Sequence, residues 1–394
     1  MDRPFDFAYF ENVKTPSYFY FEKILAERYQ ALRSALPPEI QIYYSLKANA
    51  HPKVLTSLRQ YGAFADVASL NELRAALDCG FQPRTVEFTG PGKSRVALEN
   101  AIQAGVGSLI VESIPELLTI ESICQSQKTS AKVSVRINPA EHCTLNGKLV
   151  RNASSQFGID EEFMPDFFRA LKSCSHIEYL GLHVFTQSQF LNSDFLIKNF
   201  SAALDAAARV SAIGDRSNSL VNLGGGFGIP YYQGQPDLDM TSFKEGFQEL
   251  FSKATENPWF KNATFSVESG RFLTGPAGVY VTQVLYTKIS RGKKIAVLNG
   301  GFSQNMAACG FGQAIRRNYS LTTFHKNEQL RKEISTLVGP SCYSMDVIAT
   351  EIETPPLEIG DYICLHNSGS YGPSFSPTDF LKFEPANEIF VKIR

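Results

Sequence analysis

Eight strand-length apolar runs that alternate with helix-like stretches predict an α/β chain whose main body is a (β/α)8, TIM-like barrel over residues 25–270. Two further observations complete the prediction. Turn residues bound each run, and after about Thr282 the alternation gives way to short strands with few helices. A second, mainly β domain is therefore expected from residues 1–24 and 271–394. The same alternation also fits an open doubly wound sheet, but a count of eight favours closure.

In chain order the runs are IQIYYS from Ile40, AFADVA from Ala63, TVEFTG from Thr85, SLIVES from Ser108, KVSVRI from Lys132, YLGLHV from Tyr179, SLVNLG from Ser219 and TFSVES from Thr264. The first five begin 22 to 24 residues apart, and the later gaps run from 40 to 47. KVLTSLRQYG, SLNELRAALDCG and NFSAALDAAARVSAIG read as intervening helices. Ser69 and Glu72 have capping-box spacing, and Gly80 stands where a helix-ending glycine belongs. KKIAVLN, ISTLVG, DVIATEI, DYICLH and NEIFVKI supply strands of the second domain, joined by the early SYFYF from Ser17.

Composition excludes several classes. The 394 residues are 43% hydrophobic and 20% charged, which is ordinary globular usage and speaks against disorder or coiled coil. Thirty-eight Lys and Arg against 39 Asp and Glu leave a net charge of −1, so no global basic field gathers nucleic acid or an anionic membrane. No apolar run approaches the roughly 18 residues of a membrane span. MDRPFDFAYFENV lacks the basic-then-apolar pattern of a secretion signal. Seven scattered cysteines without a CxxC pair argue against a disulfide framework or a zinc site, and a reducing cytoplasm is expected.

Barrel chemistry gathers where strands end. Lys47 follows the first strand, Asp66 lies in the second, Arg136 ends the fifth and His183 lies near the end of the sixth. Gly224, Gly225, Gly226 and Gly228 follow the seventh as GGGFG; Glu268, Gly270 and Arg271 follow the eighth as ESGR. Each has a bland explanation taken singly: a solvated lysine, a structural ion pair, a flexible turn. Together they converge on one face. GGGFG offers unshielded backbone N–H groups to phosphate oxygens, after the strand where barrels commonly bind phosphate. Its spacing is neither Walker nor Rossmann, which disfavours ATP and NAD. A phosphate cup with a lysine at the mouth and an acid opposite suggests pyridoxal 5′-phosphate, bound as a Schiff base with its ring nitrogen held protonated.

YYSLKAN, GGGFG, ESGR, GPSC and GSYG, in that order, resemble the fold-type III pyridoxal-phosphate-dependent decarboxylases. That family includes ornithine, arginine and diaminopimelate decarboxylases and is related to alanine racemase. The resemblance spans nearly the whole chain and implies an alanine racemase-like fold and a homodimer with shared active sites. It makes Lys47 the Schiff-base lysine and Glu268 the partner of the pyridine nitrogen. Ser188, Gly225, Gly226, Gly270, Arg271 and Tyr371 become the phosphate shell, with Asp66 and Arg136 close by. Cys342, in GPSCYSMD, becomes the proton donor delivered from the neighbouring subunit; taken alone, a single cysteine is more often a small buried hydrophobe. Alanine-racemase-like enzymes carry an arginine in place of Glu268, so the resemblance implies loss of CO2 and not racemisation. A non-catalytic homologue is the other alternative, but lysine, glutamate and cysteine are all present.

Departures from the family inform the substrate. HVFTQSQ places Phe185 where ornithine-type enzymes stack a histidine on the ring; His183, two residues earlier, faces the same side as a cofactor neighbour or a core histidine. Gln187 stands where the family usually has glycine. Tyr343 follows the cysteine where relatives carry an acid for a distal ammonium, and Asp346 lies nearby. Free ornithine, lysine and diaminopimelate are thereby demoted. HVFTQSQ, SSQFGI, NGGFSQNMAACGFGQAIRRNY and SGSYGPSFSPTDFL resemble a subgroup from biosynthetic clusters that acts on amino acids such as glutamate carried on an acyl carrier protein. Arg316 and Arg317 could meet such a carrier, although a solvated helix end explains them equally well.

Overall fold

The computed structural model describes residues 7–151, 153–311, 317–324 and 331–392. Two compact units emerge: one from 26–228 and 237–272, the other from 1–25, 229–236 and 273–394.

Chain order begins with strand β1 (Ser17–Phe21) and helix α1 (Glu22–Ala35). Five barrel strands follow: β2 (Gln41–Ser45), β3 (Phe64–Val67), β4 (Val86–Phe88), β5 (Ser108–Val111) and β6 (Ala131–Asn138). A hairpin of β7 (Glu141–Cys143) and β8 (Leu149–Arg151) and the short β9 (Ile159–Asp160) occupy the long gap before β10 (Ile177–Val184). β11 (Leu220–Asn222) and β12 (Thr264–Ser269) complete the set. Eight strands run parallel in the order β10-β11-β12-β2-β3-β4-β5-β6, and pairing of β10 with β6 closes the circle. The open-sheet alternative is thereby removed. All four residues of β5 are buried, as expected for a strand covered on both faces.

The helices begin where side chains can satisfy their first amides. Ser69, Ser94, Ser113, Asn192 and Asp239 each accept from a backbone N–H of the following turn. Glu72 completes its turn by accepting from Ala68 N at 2.7 Å. No helix among the described residues is long and apolar enough to cross a membrane.

The other unit is built on the long β13 (Gly278–Ser290), with β14 (Lys293–Leu298), β15 (Leu321–Phe324), β16 (Glu333–Val338), β17 (Val347–Thr354), β18 (Tyr362–Leu365) and β19 (Asn387–Val391). The order is β15-β18-β13-β14-β16-β17, and β1 pairs with both β13 and β19. The change of pattern expected near Thr282 therefore falls inside β13, whose second half is exposed and mixes charged with apolar residues. Phe10, Phe19, Phe21, Val279, Val281, Phe324 and Cys364 form an apolar core in this unit.

Candidate active site

Lys47 sits in a single 3-10 turn, Leu46–Ala48, directly after β2. The Tyr44 hydroxyl donates to Asn49 O at 2.7 Å and fixes that turn. The Lys47 side chain is half exposed, with Nζ 4.0 Å from Asp66 Oδ2. Asp66 is buried, accepts from Thr89 Oγ1 at 2.6 Å, and lies beside Glu87 in the β3–β4 register. Burial and the neighbouring Glu268 raise its pKa; Lys47, Thr89 and Ser45 oppose them.

Glu268 ends β12 pointing inward, where its Oε1 lies 2.5 Å from His183 Nε2 and accepts from Asn222 Nδ2 at 3.2 Å. Burial alone would push its pKa up. His183, Lys47 and Arg136 outweigh it and hold the carboxyl down at about 2. Glu268 is therefore an anion inside the barrel. His183 Nδ1 is buried with no hydrogen-bond partner among the described residues. Arg136 pairs with buried Glu112 at 3.4 Å, and its guanidinium carbon lies 5.5 Å from the Phe185 ring centre and 4.7 Å from that of Phe157. Glu112 is itself fixed by the amides of Gly90 and Gly158 at 2.7 and 3.0 Å.

These groups surround a cavity of about 210 Å³ lined by Lys47, Arg136, His183, Phe185 and Glu268, together with Thr89, Asn138, Ser155, Phe157 and Thr186. The glycine run is laced to its surroundings. Gly224 N donates to Asn222 Oδ1 at 2.7 Å, Glu268 N donates to Gly224 O at 2.8 Å, and Phe190 N donates to Gly226 O at 2.9 Å. The loop carrying Ser188 is thus held beside GGGFG. Gly224 has φ +66°, and a Cβ at Gly225 would fall 2.7 Å from the Glu268 carbonyl oxygen. A Cβ at Gly270 would stand 2.9 Å from Ala48 Cβ, so the Lys47 turn and ESGR approach closely only because Gly270 has no side chain.

Residues 22–275 match the family model described as "Pyridoxal-dependent decarboxylase, pyridoxal binding domain". The chain belongs to this family. The L-glutamyl-[BtrI acyl-carrier protein] decarboxylase of Niallia circulans is 35% identical over 379 residues, 95% of this chain and 88% of that protein. Diaminopimelate decarboxylase of Bacteroides thetaiotaomicron is 30% identical, with 92% of each chain covered. The crystal structure of diaminopimelate decarboxylase from Helicobacter pylori complexed with L-lysine superposes with a TM-score of 0.84 at 26% identity, covering 98% of this chain and 93% of that one. The protein is a pyridoxal-phosphate-dependent amino-acid decarboxylase of fold type III. Its site fits the cofactor: an amine, an anionic carboxylate and the aromatic ring of Phe185 border one cavity.

Several predicted residues of the decarboxylase lie in the mainly β unit. Cys342 is exposed. Tyr343 packs its ring 4.9 Å from Phe302, Tyr371 adopts φ +54° against Phe375, and exposed Arg317 stacks 5.7 Å over Tyr232. Arg316 lies outside the described residues. Asp346 is buried and accepts from Phe302 N at 2.7 Å and Ser341 N at 3.0 Å, which pins the GPSC loop. The sequence reading missed Glu87, Glu112 and Asn222. Their signal was a polar side chain in or ending an apolar strand, which alternation alone assigns to solvent.

Proposed function

We propose that this decarboxylase removes the α-carboxylate of an amino acid whose distal end is masked, most simply a glutamyl group carried on an acyl carrier protein. The Niallia circulans relative is named for that substrate, which supports the reading. The observation that carries it is Tyr343: the residue after Cys342 is a tyrosine, not the carboxylate that would pair with a distal ammonium.

Bound pyridoxal phosphate supplies an aldehyde for amines and an electron-withdrawing ring. Around it, Lys47 presents its amine at the cavity mouth beside Asp66. Glu268 holds negative charge where a ring nitrogen can share a proton, and His183 fixes its orientation. Phe185 would offer a flat apolar face, and Ser188, Gly225, Gly226, Gly270 and Arg271 would hold the phosphate. In our reading the enzyme is a cytoplasmic homodimer, and Cys342 of one chain returns a proton to the α-carbon in the other. Arg317, exposed and stacked over Tyr232, would meet the acidic carrier together with its sequence neighbour Arg316. No disulfide joins the cysteines among the described residues, which suits a reducing compartment.

Mass spectrometry of amino acids offered free and carrier-loaded tests this. Carrier-loaded glutamate should lose CO2 at least about tenfold faster than free amino acids. Equal rates, or loss only from free diaminopimelate or ornithine, would refute the masked substrate.

A further inference from the structure

Glu87 is the buried acid for which the site chemistry has so far given no use. It is fully enclosed in the barrel on β4, and Asp66, Glu87 and Glu268 each place an oxygen within 4.8 Å of the others. An apolar side chain would fill this position without the cost of burying a carboxyl.

We propose that Glu87 is a positioning residue for the Glu268 carboxylate, acting through the Asn222 amide that both share. Asn222 Nδ2 lies 2.9 and 3.0 Å from the two Glu87 oxygens and 3.2 Å from Glu268 Oε1. Its Oδ1 accepts from Gly224 N at 2.7 Å, which fixes the amide's orientation and turns both N–H bonds toward the acids. One side chain therefore ties together the ring-nitrogen acid, the start of the glycine run and Glu87.

Three carboxyls at this spacing cannot all be charged. Glu268 has His183, Lys47 and Arg136 to keep it ionised. Glu87 is opposed by Asn222 and, more weakly, Lys47, while burial, Glu268 and Asp66 push its pKa well up; the Tyr43 phenol also faces it. A neutral Glu87 engages the amide while adding no second charge beside Glu268. The inference rests on the family's cofactor and is independent of which amino acid is the substrate.

The test compares E87Q with E87L in the full-length, cofactor-loaded protein. E87Q retains a neutral acceptor for Asn222 and should match the parent in cofactor affinity and in the pH midpoint of the bound cofactor's visible band. E87L strands a buried amide. It should weaken cofactor binding about tenfold and move that midpoint by about half a unit or more. The midpoint is the readout that a purely structural role would leave alone. N222L, which removes the shared amide from the other side, should reproduce E87L and replaces it if E87L does not fold. Parent-like affinity and midpoint in E87L or N222L would overturn the proposal, as would an E87Q protein impaired as deeply as E87L.

Discussion

One interior cluster from each unit of this decarboxylase makes a contrast. In the mainly β unit the core is apolar: Phe10 meets Phe19 edge-on at 4.9 Å, and Val279, Val281 and Phe324 pack around them. In the barrel the interior holds Asp66, Glu87, Glu112, Arg136, His183 and Glu268, all buried. Apolar packing stabilises, whereas buried charge costs free energy unless every group is paired. The barrel meets that condition by cross-strand pairing, as in Arg136 with Glu112 and Glu268 with His183. The contrast teaches that one unit spends its interior on stability and the other on a fixed electric field. Substitutions should therefore separate rate from stability according to the unit they fall in.

The sharpest break is expected at Lys47. Lys47→Ala should lower turnover on the order of 10⁴-fold. Because the side chain is 48% exposed, stability should change by no more than about 0.5 kcal/mol. Phe19→Ala should do the reverse, costing about 3–5 kcal/mol in denaturant unfolding, with turnover per folded molecule within about twofold of the parent. A Phe19 variant that is stable but slow would erase the contrast. Glu268→Gln keeps shape and removes charge, and steady-state kinetics should register a loss of about 10²–10³-fold.

Much of this was legible in the sequence. All eight barrel strands could be read because each is a short apolar run bounded by turn residues, and closure followed from their number. The position of Lys47 and Glu268 on one cavity was legible because they sit at strand exits. β13 was half-missed because its 13 residues pass from a buried to an exposed environment without a turn. Glu87 and Asn222 were missed because their partnership spans 135 positions, and alternation reveals which residues share a face but not that the face lies inside a closed barrel. The hydrogen bonds of Asp346 were illegible for a related reason: its partners are backbone amides of Phe302 and Ser341, which carry no sequence signal.

A pH dependence sharpens the barrel side of the comparison. In the unfolded chain Glu87 ionises near its ordinary 4.5, whereas in the barrel its pKa stands well above that. Its favourable contribution is complete below 4.5 and is lost as pH rises through the folded value. The stability of E87Q relative to the parent should therefore grow as pH rises above 4.5, by at most about 1.4 kcal/mol per unit. Urea unfolding at several pH values would show it, and a constant difference would argue that Glu87 is ionised in the fold.

The most direct measurement of the central claim is borohydride reduction of the loaded protein, followed by digestion and peptide mass spectrometry. A pyridoxyl group is expected on Lys47, with no such mass in Lys47→Ala. A group fixed on Lys93 or another lysine, or none at all in a protein that still releases CO2, would contradict the account.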